Sequence, residues 1–286
     1  MKIRQRVLPP GWYPGTEDDT RETIECYLRD LAGAASIEDP EGIAGVVPHA
    51  GWEFSGRTAL EVLLHIRKPV DTIVVVGGHL SPSAGIIAAR EEGYETPLGV
   101  IPADLELLGA VEISAGIPIQ DDCSADNTVE VQLPLIKYLF PGTRALSLRS
   151  APSAVSIELG KAIKRAAENL GRNVAVIGST DLTHYGSNYG FSPAGRGETA
   201  VEWVKEVNDR GFIESLLSMH PEFALDHAGR NQSACSAGGA VAALSFAREM
   251  GVSRGELIRY LTSYDIYPNE SFVGYAGIIY AMSKSE

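Results

Sequence analysis

The chain has 286 residues, of which 44% are hydrophobic, and a formal net charge of −13. This length and composition fit one α/β domain, and we predict a single domain over residues 1–286. The negative charge argues against nucleic acid and against anionic membrane surfaces as partners, because both need clustered Lys and Arg. No apolar run approaches the ~20 residues that span a bilayer.

The first residues also bear on location. Pro9, Pro10 and Gly11 fall where the apolar core of a signal peptide would lie. We therefore expect a cytoplasmic protein.

The three cysteines of the chain, Cys26, Cys123 and Cys235, lie far apart in the sequence. Buried thiols rather than disulfides are therefore expected for all of them.

In chain order, short β-rich runs alternate with longer amphipathic patterns. Strands are predicted at 43–47, 72–76, 144–148, 173–177, 257–264 and 271–281. Helices are predicted at 55–66, 103–114, 128–140, 153–170, 198–217 and 233–250. Asn127 and Glu130 suit a capping box before the third helix, and Gly171 suits a left-handed stop after the fourth.

The first four strands are continuously apolar rather than alternating, which is typical of strands covered on both faces. The predicted fold class is therefore α/β, with a central, mostly parallel or mixed sheet and helices on both faces.

Three of the six histidines immediately follow predicted buried strands. His49 follows the first strand, His79 the second and His184 the fourth. In open α/β sheets, ligands bind beyond the carboxyl ends of the strands, so the topology should gather these imidazoles at one edge. A hydrogen-bonded loop histidine is the plainer interpretation for any one of them, but three equivalent positions favour a metal or catalytic site.

The other three histidines favour structural roles. His65 lies near the end of a predicted helix, where a cation suits the helix dipole. His220 and His227 lie in a polar stretch between helices, which indicates surface or capping residues.

Cys235 opens the last predicted helix, and a helix N-terminus lowers the pKa of a thiol. A thiolate could complete a site with two imidazoles, as a carboxylate does in oxygen-activating Fe(II) proteins, and its softness would also admit copper or zinc. A buried, inert cysteine is the commoner alternative.

Motifs along the whole chain resemble those of the Memo family, whose prokaryotic members are called AmmeMemoRadiSam system protein B. The matching motifs occur in the same order and at the same spacing: Pro10-Gly11-Trp12-Tyr13-Pro14, Pro48-His49-Ala50-Gly51-Trp52, Gly78-His79, Glu130-Val131-Gln132-Leu133-Pro134, Ser179-Thr180-Asp181-Leu182-Thr183-His184-Tyr185-Gly186, Cys235, Tyr264-Asp265 and Val273-Gly274-Tyr275-Ala276.

The family is similar to class III extradiol dioxygenases of the protocatechuate 4,5-dioxygenase type, which hold Fe(II) with two His and one Glu. The resemblance implies that His49, His79 and Cys235 are metal ligands, with Cys235 at the Glu position. It also gives His184 the place of an acid/base histidine. Asp181, in the same loop, could orient His184 or raise its pKa.

Two positions depart from the usual family pattern. The second histidine usually follows Gly-Pro-Asn or a similar tripeptide, whereas here it follows Gly77 and Gly78. The cysteine is usually followed by Gly, whereas Ser236 follows Cys235 here.

The resemblance implies a non-haem, metal-dependent oxidoreductase that acts on an unidentified small molecule, with Fe(II) as the expected metal. Two alternatives stay open: a non-catalytic metal-binding, peptide-recognition or adaptor protein on the same fold, and a zinc-dependent hydrolase. The family name further implies a pathway link to radical-SAM and AMMECR1-like proteins.

Overall fold

The chain alternates between strands and helices, and the computed structural model describes residues 1–31 and 41–282. The strands in these ranges are β1 (Ile3–Arg4), β2 (Gly42–Val47), β3 (Thr72–Gly77), β4 (Ile86–Ala88), β5 (Gly93–Tyr94), β6 (Ile101–Pro102), β7 (Ile119–Asp121), β8 (Arg144–Ser150), β9 (Val174–Ser179), β10 (His184–Tyr185), β11 (Glu256–Thr262) and β12 (Phe272–Ala281). The helices are α1 (Glu17–Leu31), α2 (Trp52–Leu64), α3 (Leu105–Ala115), α4 (Asn127–Glu130), α5 (Leu133–Leu139), α6 (Ala154–Leu170), α7 (Glu198–Trp203), α8 (Asp209–Leu217), α9 (Pro221–Asn231), α10 (Ala237–Glu249) and α11 (Ser263–Ile266).

Within the described ranges, nine strands form one mixed sheet. At its centre, β2, β9, β3 and β8 are parallel neighbours in that order. β12 joins β2 antiparallel on one side, and β4 joins β8 antiparallel on the other. The predicted α/β class, with a mixed sheet and helices on both faces, is confirmed. β1, β5 and β6 form a separate small sheet.

The apolar runs of the central strands face two layers of helices. In β3, Val74 and Val76 pack into one core with α3, α6, α8, α9 and α10, while Ile73 and Val75 pack into a second core with α1, α2 and α5. Alternate residues therefore meet different helical layers. This explains why the strand sequence is apolar at every position instead of every second one.

The predicted helix at 128–140 is wrong in its continuity, because the structure divides it into α4 and α5. Pro134 lies in the first turn of α5. Proline lacks the N–H that a continuous helix needs there, and its ring would clash with the carbonyl of Glu130, four residues earlier.

The predicted capping box is also wrong. Asp126 caps α4 by accepting a hydrogen bond from the backbone N–H of Thr128. The Glu130 carboxylate instead accepts bonds from the N–H groups of Val7 and Leu8 and from the Tyr13 hydroxyl. The Glu130 side chain therefore bonds to residues far away in the sequence instead of capping its own helix. Gly171 adopts the left-handed conformation after α6, as predicted.

The other helices differ from the prediction in where they begin and end and in whether they are continuous. The predicted helix 198–217 contains one π-helical turn, at Val204–Asn208. The sequence interpretation missed α1 and α9. Proline starts α9 at its first position, where a missing N–H costs nothing.

Of the three thiols predicted to be buried, Cys26 and Cys123 are exposed. None of the helices in the described ranges has both the length and the apolarity of a membrane span.

Two glycines inside helices provide a matched pair for testing how tightly the helical layer packs. A Cβ at Gly160 in α6 would lie 2.4 Å from the carbonyl oxygen of Ala242 in α10, whereas a Cβ at Gly109 in α3 would meet no atom within 4 Å. The absence of a side chain at Gly160 therefore allows α6 to approach the backbone of α10 closely.

We expect Gly160→Ala to destabilise the fold by about 1–3 kcal/mol through overpacking. Gly109→Ala should stabilise it by about 0.5–1 kcal/mol, because alanine loses less conformational entropy in a helix. Urea unfolding of both variants measures these changes. Equal effects at the two positions would contradict the packing argument.

Candidate metal centre

Three neighbouring parallel strands end at the edge of the sheet where the predicted site residues lie. His49 follows β2, His79 follows β3, and Asp181 follows β9, which lies between them. The N–H of Thr180 donates to the carbonyl of Val47 at 2.9 Å, which extends the β2–β9 pairing toward the site. The order of the strands thus brings residues from distant parts of the sequence together.

The structure gathers His49, His79 and Cys235, whose nitrogen and sulfur atoms all lie within 4.8 Å of one another. Cys235 Sγ is 3.2 Å from His49 Nε2, and the centroids of the two imidazole rings are 4.9 Å apart. Ligands bound tetrahedrally at 2.0–2.3 Å from one ion would be about 3.5 Å apart. The donor atoms and their spacing therefore fit a single divalent metal.

His49 is buried and held on two sides. Its backbone N–H donates to Asp181 Oδ1 at 2.6 Å, and its Nδ1 lies 3.2 Å from Ser179 Oγ. Gln132 donates to the carbonyl of Pro48 at 2.8 Å, immediately before the histidine. These contacts occupy Nδ1 and leave Nε2 facing Cys235, which is the arrangement that orients a metal-binding imidazole.

His79 is partly exposed and has an unusual backbone conformation for a residue other than glycine, with φ of 56°. Its N–H donates to Ser236 Oγ at 3.2 Å, and its Nδ1 lies 3.1 Å from Asp126 Oδ2. A carboxylate on Nδ1 fixes the ring and makes the other nitrogen a better ligand. Because 35% of the side chain is exposed, the cluster can be reached from solvent.

Cys235 lies in the turn before α10, two residues upstream of the first helical residue, rather than inside the helix predicted to start at 233. Its N–H donates to the carbonyl of Asp181 at 3.2 Å, and the N–H of Ser236 donates to Thr180 Oγ1 at 3.1 Å. The turn is therefore tied to the loop after β9, which sets the sulfur against His49.

Neighbouring charges in the cluster shift the pKa values of its residues in the direction opposite to the effect of burial. Burial favours a neutral Cys235 thiol, but His49, His79 and His184 lower its pKa well below the usual value. Burial likewise disfavours a protonated His79, yet Asp126 and Cys235 raise its pKa to about 10. For His49, Cys235 and Asp181 outweigh burial and raise the pKa. The cluster thus stabilises a thiolate, the form of cysteine that binds metals.

His184 lies beside the cluster but is outside the group of three converging donors. Its Nδ1 is 3.1 Å from the carbonyl of Leu182, which can only accept, so a neutral ring carries its proton on Nδ1 and keeps Nε2 free. The expected orienting contact from Asp181 is not made. Asp181 instead holds the backbone of His49, and its Oδ2 lies 3.9 Å from His49 Nε2.

The remaining histidines are structural. His65 caps the end of α2, as its position predicted, with Nδ1 2.8 Å from the carbonyl of Glu61. His220 precedes α9 without forming a side-chain cap. His227 lies within α9, and its Nδ1 is 2.8 Å from Ser233 Oγ, so its prediction as a residue between helices is wrong.

Sequence reasoning missed three residues that support the site: Asp126, Gln132 and Arg149. Asp126 precedes a helical pattern as a good N-cap residue, and this signal could have identified its position but not its contact with His79. Gln132 lies in a motif that carried the resemblance without an assigned role. Arg149 had no signal, because a charged residue at a strand end is ordinarily solvated.

Comparisons with known proteins identify the family of the chain. Residues 4–279 match the family described as Memo-like protein. The chain belongs to this family. A MEMO1 family protein of Thermococcus onnurineus is 33% identical over 293 residues, which cover 97% of this chain and 99% of the relative. A MEMO1 family protein of Pyrococcus abyssi is 34% identical over 291 residues, with coverage of 97% and 99%.

A solved structure of an uncharacterized protein from Escherichia coli K12 has a TM-score of 0.56 at 15% identity. The similarity covers 83% of this Memo-like chain and 99% of the other, and it shows a shared fold.

The two positions that depart from the pattern implied by the resemblance, Gly78 and Ser236, lie in contact. A Cβ added at Gly78 would lie 2.5 Å from Ser236 Cβ and 2.6 Å from Ser236 Oγ. Gly78 therefore makes room for the serine whose hydroxyl accepts the N–H of His79. Gly78, before His79, and Ser236, after Cys235, therefore form one packing unit.

A buried network supports the loop that carries Asp181 and His184. Asp209 is fully buried and accepts hydrogen bonds from the N–H and the hydroxyl of Thr183 and, at 2.8 Å, from the Tyr260 hydroxyl. Burial raises the pKa of Asp209 to about 7, although these hydrogen bonds oppose the shift. The loop therefore rests on a carboxyl group that titrates near neutral pH.

We expect the Asp209 contribution to stability to be largest below about pH 4 and to fall as the pH rises to about 7. In this window the folded state holds a proton that an unfolded aspartate has already released, so raising the pH favours unfolding. Asp209→Asn keeps an acceptor for Thr183 and does not ionise. The free energy of unfolding of this variant minus that of the wild type should rise by a few kcal/mol between pH 5 and 7 and then level off. A difference independent of pH would contradict the assignment.

Proposed function

We propose that this Memo-like protein is a non-haem, iron-dependent oxidoreductase that acts on a small molecule bound at the His49, His79 and Cys235 cluster. The observation that carries the proposal is the convergence of two imidazoles and one thiolate on a point that solvent can reach. A structural zinc site is closed by four protein ligands, and the described residues bring three donors together here.

Support for iron comes from the resemblance to extradiol dioxygenases, in which two His and one Glu hold Fe(II). Cys235 keeps the single negative charge of the glutamate, and the softer sulfur also suits copper or zinc. A bound iron would supply Lewis acidity and redox chemistry. The pathway link to radical-SAM and AMMECR1-like proteins stays a prediction.

In this proposal His184 moves a proton. Its Nδ1 proton points to the Leu182 carbonyl, which leaves the Nε2 lone pair to accept a proton from a substrate hydroxyl. The Tyr189 ring meets the imidazole edge to face at 4.9 Å and covers one side of it. Asp181 acts by holding the backbone of His49 in place.

Metal content across four variants tests the ligand assignment. Protein purified without oxygen should contain stoichiometric iron, and His49→Ala, His79→Ala and Cys235→Ala should each lose most of it. His184→Ala should keep its iron while lowering oxygen consumption with an aromatic diol substrate by ~10²–10⁴-fold.

Three results would count against this proposal. Stoichiometric zinc in the wild type would favour the hydrolase alternative. A His184→Ala protein as empty as the ligand variants would make His184 a fourth ligand. No metal in any preparation would favour the non-catalytic alternative.

One observation favours peptide recognition as a second candidate function. An open groove of about 650 Å³ lies beside the N-terminal segment and is lined by Pro9, Pro10, Trp12, Tyr13, Pro14, Tyr27 and Trp52 among others. The Tyr13 and Tyr27 rings flank Trp52, with centroids 6.0 and 6.5 Å from it. Aromatic-lined grooves of this kind bind proline-rich peptides.

If the protein is an adaptor of this type, proline-rich peptides should quench tryptophan fluorescence equally in the wild type and in His79→Ala, because the groove does not need the metal. Trp12→Ala should abolish the effect. Fluorescence unchanged by every peptide of such a set would remove this alternative.

A further inference from the structure

Arg149 is a buried cation beside the metal centre. It lies near the carboxyl end of β8, the strand next to β3, and only 5% of it is exposed. A buried charge is costly unless its hydrogen-bonding groups are satisfied. The guanidinium of Arg149 meets acceptors on all three of its nitrogens, and two of these contacts lead to His79.

The first contact fixes the backbone at His79. Arg149 Nε donates to the carbonyl of Gly78 at 2.9 Å. That carbonyl and the N–H of His79 belong to the same peptide unit, and the N–H donates to Ser236 Oγ at 3.2 Å. Both ends of the peptide plane are therefore held. This restraint maintains His79 at a φ of 56°, a conformation that costs energy for a side chain of this kind.

The second contact fixes the ring of His79. Arg149 Nη2 is 3.2 Å from Asp126 Oδ2, the same oxygen that lies 3.1 Å from His79 Nδ1. Thr128 holds the other oxygen of this carboxylate, Oδ1, through its N–H and its hydroxyl. Arg149 holds Oδ2, the oxygen that orients the imidazole, and so completes the restraint on the carboxylate.

The remaining nitrogen anchors the arginine itself. Nη1 donates to Ser124 Oγ at 2.7 Å and lies 3.3 Å from Asp122 Oδ1. The three nitrogens of this fixed planar group thus meet four separate residues. A lysine has one nitrogen on a flexible stem and cannot reproduce this arrangement.

We propose that Arg149 is a positioning residue of the metal centre, which holds the main chain and the ring of His79 in the orientation that binds the ion. This inference rests on the proposed metal site. It concerns the formation of the site rather than the reaction carried out there. Arg149 acts through His79 and is not one of the three converging donors.

A titration of the full chain with Co²⁺ in the absence of oxygen tests the proposal, with sulfur-to-cobalt absorption as the signal and a chelator as competitor. Arg149→Lys should weaken Co²⁺ binding by about 10–100-fold, the usual effect of removing an outer support of a metal ligand. Asp126→Asn should weaken it to a similar extent, and this variant keeps the experiment decisive if Arg149→Lys does not fold.

Arg172→Lys is the matched control. Arg172 also pairs with a buried aspartate, Asp104, but it lies just before β9, at the opposite end of the sheet from the site. Its substitution should lower the melting temperature and leave Co²⁺ affinity within about twofold, since it has no contact with the outer support of the ligands.

A double-mutant cycle separates positioning from general stabilisation. In a His79→Ala background, Arg149→Lys should cause no further loss of Co²⁺ affinity, because the residue through which it acts is gone. An equal loss with and without His79 would overturn the proposal, as would wild-type affinity in Arg149→Lys.

The outcome for the wild type distinguishes this inference from the proposed function. A protein that binds Co²⁺ through Arg149-supported His79 but contains no iron when purified would remove the iron oxidoreductase and leave the inference intact. Failure of the wild type to bind Co²⁺ or Fe²⁺ would overturn both.

Discussion

The candidate site depends on the adjacency of β2, β9 and β3 at the centre of the sheet. Parallel strands deliver their following loops to one edge, and here those loops carry His49, Asp181 and His79. The turn before α10 adds Cys235 because α10 packs across the same strands. The geometry of the candidate site is therefore a consequence of strand order, and hydrogen bonds from residues distant in the sequence complete the orientation of each ligand.

The chain as a whole is strongly acidic, yet its candidate metal centre is held by charges of both signs. Asp122 and Asp126 flank Arg149, and a thiolate lies against two imidazoles. Burial removes the water that would otherwise weaken these interactions, so each charge acts strongly on its neighbours. A cation placed among the three donors would neutralise the negative charge of the thiolate, as protons on the imidazoles do in the metal-free cluster.

Much of this architecture could be predicted from sequence because it depends on periodicity. Continuous apolar runs identified the buried strands, and residues directly after them became site candidates. Cys235 required the family resemblance, since a lone cysteine near a helix start has no distinctive pattern. The sequence did not predict the roles of three further residues, because these roles arise from contacts between residues 47 to 84 positions apart: Asp126, Gln132 and Arg149. The predicted capping role of Glu130 was wrong for the same reason, since the hydrogen-bond partners of its side chain lie more than 100 residues away in the sequence.

The contact between Gly78 and Ser236 restricts which residues can occupy position 78. A Cβ added at position 78 would meet the side chain of Ser236 at 2.5 Å. Replacing Ser236 by glycine would remove the two closest atoms, but the backbone Cα at position 236 would still lie 2.8 Å from that Cβ. A larger residue at position 78 therefore needs both the loss of the serine side chain and a small shift of the turn that carries Cys235, so substitutions at positions 78 and 236 are coupled.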